Sequence, residues 1–394
     1  MKIAVCGAGI AGPTLAYWLR HGGHEPTLIE KAPQLRTGGY VIDFWGSGYA
    51  IAERMGLAPA VQAAGYAVQE VRLVDRRGRT VGEFPVAGFR HNFGGRFTSL
   101  PRGDLAALIY QAIEGSVETI FNDSIVGIDQ HDDGVQVTFE RGKSRRFDLV
   151  IGAGGVHSPV RALVFGPDTK FQTALGYQVA AFAVNGYQPR EELVYVAYTA
   201  PRRMAARFAL RDDRTMFLLV YANDARLSAD RDSPHDGNIV LRHVFGDAGW
   251  ECPRILSELD RVGQVYFDQV TQVTMERWSK GRVALIGDAA SCVSLLAGEG
   301  TGLAMLQAYV LAGELNAAGG DHREAFHRYE KMLRPLIEAK QRSARSFASA
   351  FAPKTPLGLW TRNQASKLLG VPRLADWIIR REFRDEIELP AYPT

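Results

Sequence analysis

Cysteine is scarce in this chain: three residues in 394, Cys6, Cys252 and Cys292, set far apart. That spacing excludes a disulfide framework and a cysteine metal knuckle, so a reducing, cytoplasmic setting is the expectation. Net charge is scarce too. Lys and Arg number 46 against 43 Asp and Glu, leaving +3. The pairs Arg145-Arg146 and Arg380-Arg381 are short solvated faces, so nucleic acid is not an expected partner. No apolar run is long enough to cross a bilayer. Met1 leads directly into a predicted strand, which leaves no room for a secretory leader. Repeats and low-complexity tracts are absent. No His, Cys and Asp cluster has metal-ligand spacing. His157 and Ser158 are adjacent but lie in a glycine turn, a poor setting for a hydrolase triad. What remains is an ordinary globular composition over a length that allows two or more domains.

What the chain does have is glycine at the ends of apolar runs. Residues 2–30 run KIAVCGAGIAGPTLAYWLRHGGHEPTLIE. Ile3 to Cys6 predicts a buried parallel strand. Gly7 permits the tight turn after it, Gly9 lets the backbone approach a pyrophosphate, and Gly12 lets the next helix pack close to the strand. The helix start offers free N–H groups and a partial positive charge to phosphates. Glu30 ends the second apolar run about 20 residues on, where a carboxylate can accept hydrogen bonds from a ribose diol. Strand, glycine turn, helix and acid, in that order, point to a dinucleotide.

Three further pieces point the same way. In GRVALIGDAA, from Gly281, a buried strand ends in Gly287-Asp288, and Asp288 falls at the carboxyl end of a parallel strand, where open α/β sheets bind ligands. Gly298-Glu299-Gly300-Thr301-Gly302 then frees the backbone at the start of an apolar helix, Leu303 to Leu315. Asp148 to Arg161 is another strand followed by a glycine turn. Arg102 opens a predicted helix, an unusual place for a cation by the dipole rule, and becomes a phosphate or ribityl contact once a nucleotide is required.

Between these pieces the pattern predicts a helix over 49–64, strands at 71–75, 80–84, 118–121, 135–139 and 147–151, and a helix over 102–113. From Phe171 to about Val273 alternating, aromatic-rich segments take over (177–184, 193–198, 204–210 and 216–221), which predicts an antiparallel sheet. The dinucleotide signature then resumes. The expected organisation is a dinucleotide-binding domain in three parts, 1–70, 101–170 and 274–322, with strands of 71–100 joining a second domain at 171–273 and a helical extension at 323–394. Pro335 is expected to break or kink the helix of that extension.

These motifs and their order resemble the flavoprotein aromatic hydroxylases typified by para-hydroxybenzoate hydroxylase, and within them the tetracycline destructase branch. The likeness spans essentially the whole chain. It implies an α/β fold: a doubly wound, Rossmann-like FAD-binding domain interrupted by an antiparallel-sheet substrate domain, plus C-terminal helices. The family's dinucleotide glycines and ribose acid fall on Gly7, Gly9, Gly12 and Glu30, with Ile10, Ala11 and Lys31 beside them. Its helix-borne FAD arginine falls on Arg102, its ribityl-holding Gly-Asp motif on Gly287 and Asp288, and its flavin loop on Gly298, Gly300, Thr301 and Gly302. Its motif touching both FAD and nicotinamide falls on Asp148 to Arg161. There this chain departs from the family, with Ala153-Gly154-Gly155 in place of Ala-Asp-Gly. Ser291-Cys292-Val293-Ser294 stand where the family has His and a Pro pair, Glu299 replaces a glutamine, and Gly302 an asparagine. Glu299 is a candidate to restore a negative charge near the flavin.

The resemblance further implies a monooxygenase in which NAD(P)H reduces FAD, O2 forms a flavin hydroperoxide, and one oxygen atom passes to a planar phenol or enol, polyketide-like or tetracycline-like. The flavin carries the hard step, so no dedicated catalytic residue is expected. The substrate pocket is expected between the middle sheet and the flavin, lined from Tyr177, Phe182, Tyr198, Arg207, Phe208, Phe217 and Tyr221. Arg207 and Phe208 are neighbours, so only one of them can face it. Phe44 and Trp45, after a Gly-rich loop, are candidates for the edge of the flavin site. Trp360, Leu368, Leu369 and Trp377 can cover the pocket as a lid, pack as a scaffold or form an amphipathic membrane contact, and the resemblance favours packing against the middle domain. A monomer or homodimer is expected. An FAD dehydrogenase or reductase without oxygen insertion, or a flavin-binding sensor, is the competing reading.

Overall fold

The computed structural model describes residues 1–36, 38–223, 234–368 and 387–392. Ile3, Ala4 and Val5 are completely buried, as a central parallel strand covered on both faces requires. Numbered along the chain, the strands of this sheet are β17 (Ser279–Lys280), β18 (Val283–Leu285), β11 (Leu149–Gly152), β1 (Lys2–Cys6), β2 (Glu25–Glu30) and β7 (Glu118–Phe121), in that spatial order. All run parallel except β17, which turns back at the edge. The chain passes from β1 through α1 (Ala11–His21) to β2 on one side, while β11 flanks β1 on the other. The winding therefore reverses between β1 and β11, where doubly wound sheets open a ligand crevice.

Behind the sheet runs α10 (Gly300–Ala317), buried on every side from Leu303 to Leu315. It packs among α1, α2 (Gly46–Arg54) and α11 (His322–Phe351), the place for a helix apolar all round. A small antiparallel sheet of β8 (Ile125–His131), β9 (Gly134–Phe139) and β10 (Arg145–Phe147) lies between β7 and β11 in the chain.

The second large sheet has the order β16 (Tyr266–Val273), β12 (Gln172–Asn185), β15 (Arg214–Ala222), β14 (Arg203–Ala209), β13 (Val194–Ala200), β4 (Glu70–Val74) and β5 (Thr80–Pro85). It is mixed, not purely antiparallel, because β13 and β4 pair parallel. Such a pair needs a long connection, and here all of β5 to β12 intervenes. Two helices, α7 (Pro234–Phe245) and α8 (Cys252–Glu258), cover one face of this sheet. Toward the parallel sheet stands a two-stranded ribbon, β3 (Val41–Trp45) with β6 (Phe97–Pro101). Ile42, Phe44 and Leu100 of the ribbon enter the main core, whereas Val41, Trp45 and Phe97 pack with Phe208 and Leu210 of the mixed sheet. Short helices α3 (Ala58–Ala64), α4 (Ala87–Asn92), α5 (Arg102–Gln111), α6 (Pro159–Val164) and α9 (Asp288–Ser291) complete the connections.

The fold class is the one the motifs imply, with three local corrections. The helix expected over 49–64 is two, α2 and α3, parted at Gly56 with φ +74°. The strand expected over 147–151 is also two, since Asp148 separates β10 from β11. Pro335 does not end its helix: α11 runs through it. Pro335 is exposed while Leu333 and Ile337 on either side are buried. Water can therefore satisfy the carbonyl that loses its partner, and the apolar flanks hold the helix on the core. α12 (Pro356–Leu368) packs on β5 and β13 of the mixed sheet, leaving Trp360 exposed. The Leu368 side chain, Leu369 and Trp377 lie outside the described residues. Among the described residues no helix is long and apolar enough to cross a membrane.

Candidate active site

At the switch point the turn from β1 to α1 closes on bare backbone. Gly7 has φ +117°, and a Cβ there would stand 2.5 Å from the Ala153 carbonyl oxygen. A Cβ on Gly12 would stand 1.9 Å from the Gly7 carbonyl oxygen. Only glycine allows either approach. The turn opens onto a cleft of about 310 Å³ at the carboxyl ends of β1, β2 and β11. No side chain caps the start of α1, and its first turn carries no acid. The positive end of the helix therefore faces the cleft uncompensated. Glu30 reaches in from the end of β2. Its Oε2 accepts the Ala8 N–H at 2.8 Å and its Oε1 the Ala32 N–H at 2.9 Å, leaving each oxygen able to accept another donor.

The opposite wall is built by α5, α9 and α10. Arg102, first in α5, donates its backbone N–H to the Tyr40 carbonyl at 3.0 Å and turns its guanidinium into the cleft. Asp288 begins α9. Burial raises its carboxyl pKa, and the facing Arg102 charge offsets part of the rise. Glu299 precedes α10 without capping it by its side chain, so a second helix N-terminus meets the same cleft. Glu299 is itself paired with Lys340 of α11 at 2.8 Å, both largely buried. It therefore does not stand as a free carboxylate in place of the acid missing at Gly154.

The structure gathers most of the expected cofactor residues in one place. Gly7, Gly9, Ile10, Ala11, Glu30, Lys31, Arg102, Asp288, Gly298, Gly300 and Thr301 all line the cleft, as does Gly154. Gly12 serves it from behind through the close packing of α1. Gly287 sits behind Asp288 and donates its N–H to Gln307 Oε1 at 3.0 Å. Gly302 lines a small notch beside the cleft, together with Phe44 and Trp45.

The expected substrate-pocket residues do not line the cleft. Phe182, Tyr198, Phe217 and Tyr221 face away from it, packed with Leu241, Phe245 and Ile255 beneath α7 and α8. Arg207 belongs to that side as well. It is 4% exposed and held by Glu191 at 2.8 Å and Glu251 at 3.0 Å, so it is a structural cation. Tyr177 and Phe208 lie on the other face. The Tyr177 hydroxyl donates to the Ala352 carbonyl at 3.2 Å, and the Phe208 ring meets Tyr195 at 4.4 Å. Arg207 and Phe208 do take opposite faces, as adjacent strand residues must. Replacing Arg207 with methionine strands two carboxylates. The expected cost is about 3 kcal/mol, the low end for breaking a buried pair because Glu191 is partly exposed. Urea unfolding measures it, and the folded fraction should keep its cofactor.

Residues without a motif complete the cleft. Tyr266, Asp268, Gln269 and Thr271 enter from β16, the edge strand of the mixed sheet. The Tyr266 hydroxyl donates to Asp268 at 2.9 Å, and its ring lies 5.9 Å from that of Tyr40. Cys292 donates its thiol to the Thr271 carbonyl at 3.3 Å, and burial pushes its pKa well up, leaving it an inert thiol. No motif and no regular alternation marks 266–273 (YFDQVTQV), which falls where the aromatic-rich texture fades. Among the described residues no group of three His, Cys, Asp or Glu is arranged to hold a metal.

Residues 1–342 match the family described as "FAD binding domain". A flavin-dependent monooxygenase from an unknown prokaryotic organism is 36% identical over 404 aligned positions, covering 99% of both chains. The crystal structure of tetracycline destructase Tet(55) superposes with a TM-score of 0.83 at 34% identity, covering 99% of this chain and 98% of that one. That of Tet(51) does so with a TM-score of 0.83 at 31% identity, covering 99% of each.

Proposed function

The chain belongs to the FAD-binding-domain family, as a flavoprotein monooxygenase, and from that premise we propose that it uses NAD(P)H and O2 to insert one oxygen atom into a planar phenolic or polyketide-like substrate. The observation that carries this reading is the convergence of Glu30, Arg102, Asp288 and two uncapped helix N-termini on one cleft. That donor and acceptor set fits the pyrophosphate, ribose and ribityl groups of FAD. Bound FAD supplies the redox chemistry, taking electrons from the nicotinamide and activating oxygen. The protein's part is to hold and to shield. The start of α1 receives the pyrophosphate and Glu30 the adenosine ribose. Arg102 and Asp288 grip the ribityl side, and the start of α10 offers N–H groups to the flavin ring. Likeness to Tet(55) over 99% of this chain supports a multi-ring, tetracycline-like substrate over a small benzoate.

Asp288→Ala should leave the fold intact and weaken FAD binding about ten- to a hundredfold, the loss of roughly 1.5–3 kcal/mol from a charge-assisted hydrogen bond. Fluorescence titration of the apoprotein with FAD measures it, and unchanged affinity would remove Asp288 from the site. The activity test is a screen of tetracycline and simpler phenols for accelerated NAD(P)H consumption, followed by product mass. A product heavier by one oxygen atom supports the reading. Acceleration without oxygen gain favours a reductase, and no acceleration by any phenol favours a sensor.

A further inference from the structure

The β3–β6 ribbon carries a polar group that cofactor binding leaves unused. Ile42 and Phe44 of β3 turn into the main core, so Asp43 turns the other way with Val41 and Trp45. Asp43 is exposed, but into a concavity. With Trp45, Ser47 and Glu299 it lines the notch beside the cleft, which encloses about 20 Å³, room for about one water-sized group. Notch and cleft meet at Gly298.

Ser99, opposite Asp43 in the ribbon, donates its hydroxyl to Asp43 Oδ1. No cation pairs with Asp43 among the described residues. Among the described residues the titratable groups around it are Tyr195 from β13, which also meets Ser99, and Glu299, whose charge Lys340 takes up. Enclosure raises the Asp43 pKa, and the Ser99 bond only partly offsets it; a carboxylate so placed is a stronger base than usual. The wall on its face of the ribbon is aromatic: the Trp45 ring lies 6.1 Å from Phe93 and 6.2 Å from Phe97. A carboxylate that meets no cation among the described residues, beside aromatic rings and with room for one hydroxyl, suits a phenol or an enol.

We propose that Asp43 receives the substrate's phenolic or enolic hydroxyl and takes its proton as the ring is oxygenated. This rests on the monooxygenase reading above. The substrate O–H bond breaks, the proton moves to an Asp43 carboxylate oxygen, and the electron pair stays on the substrate oxygen. From there it feeds the ring carbon that gains oxygen. O2 supplies that oxygen, NAD(P)H the electrons, and Asp43 later returns its proton to solvent.

The test uses FAD-loaded protein, parent and Asp43→Asn, with umbelliferone as a probe whose phenol and phenolate absorb differently. In the parent the bound probe should ionise at higher pH than in solution, because the Asp43 carboxylate opposes a second negative charge. In Asp43→Asn that rise should vanish while FAD content stays the same. During turnover of a phenol that the parent oxygenates, Asp43→Asn should lose roughly 100- to 10,000-fold in kcat/KM. Its residual rate should climb with pH as the substrate ionises unaided. Identical probe titrations in the two proteins would overturn the proposal. So would loss of FAD from Asp43→Asn, which would place the residue on the cofactor instead. A parent that shifts the probe yet oxygenates no phenol would count against the monooxygenase reading and for the hydroxyl contact.

Discussion

Replacing Arg161 with methionine is expected to lower stability by about 3–5 kcal/mol and to release FAD from the protein that still folds. Arg161 is 0% exposed. Its Nη1 donates to the Ala289 carbonyl at 3.0 Å, its Nη2 to the Val156 carbonyl, and its Nε to Asp168 at 3.2 Å. Val156 lies in the turn after β11, and Ala289 lies in α9 beside Asp288. One guanidinium thus ties together two walls of the cleft that are distant in sequence. Methionine fills part of the volume but leaves the Ala289 carbonyl and the Asp168 carboxylate without their donor, while Gln172 still donates to the Val156 carbonyl at 2.8 Å. Asp168 is 33% exposed on its side chain, which places the cost toward the lower figure. Urea unfolding with FAD counted spectroscopically in the native fraction checks both halves. A variant with the parental midpoint and full FAD would show that the tie does nothing.

Gly12→Val should abolish FAD binding. Even a single Cβ at this position meets the Gly7 carbonyl at 1.9 Å, with the Leu28 side chain 3.2 Å away on the other side. The contact is backbone, so no rotamer change relieves it. α1 has to move off β1, and its N-terminus leaves the position that faces the pyrophosphate. Overpacking of this kind costs typically 1–3 kcal/mol and at times more, and here the strain falls on the cofactor site itself. Gly12→Ala should show the same defect in milder form. Circular dichroism should report a near-native fold in both, while FAD titration reports the loss. Full retention of FAD by Gly12→Val would mean that the turn is not built as described.

The cofactor cleft was legible from sequence because its parts are local. Gly7, Gly12, Glu30 and Asp288 each follow an apolar run at a fixed offset, and a tight strand-to-helix turn is specified by the few residues within it. The substrate side was not legible, and the mixed sheet shows why. Alternation along β12, β14 and β15 correctly sorts residues into two faces but does not say what covers each face. Phe182 and Phe217 point at α7 and α8, whereas Tyr177 and Phe208 point the other way, and the four look alike in sequence. Arg207 was expected in the pocket lining because its partners, Glu191 and Glu251, come from distant loops that the strand pattern does not connect to it. Asp43 and Asp268 carry no motif at all. Asp43 acquires meaning only once β6 brings Ser99 opposite it and the Glu299 loop closes the notch. The parallel pairing of β4 with β13 likewise depends on the path of the whole chain rather than on either strand.

The proposed role of this cleft is to hold FAD so that an atom of molecular oxygen moves onto a phenolic ring. The most direct measurement is to run the reaction with NADPH or NADH and an accepted phenol under isotopically heavy O2, then to weigh the product. One heavy oxygen atom per product molecule is expected, with none drawn from water. A product that carries no heavy oxygen while the nicotinamide is still consumed would contradict it.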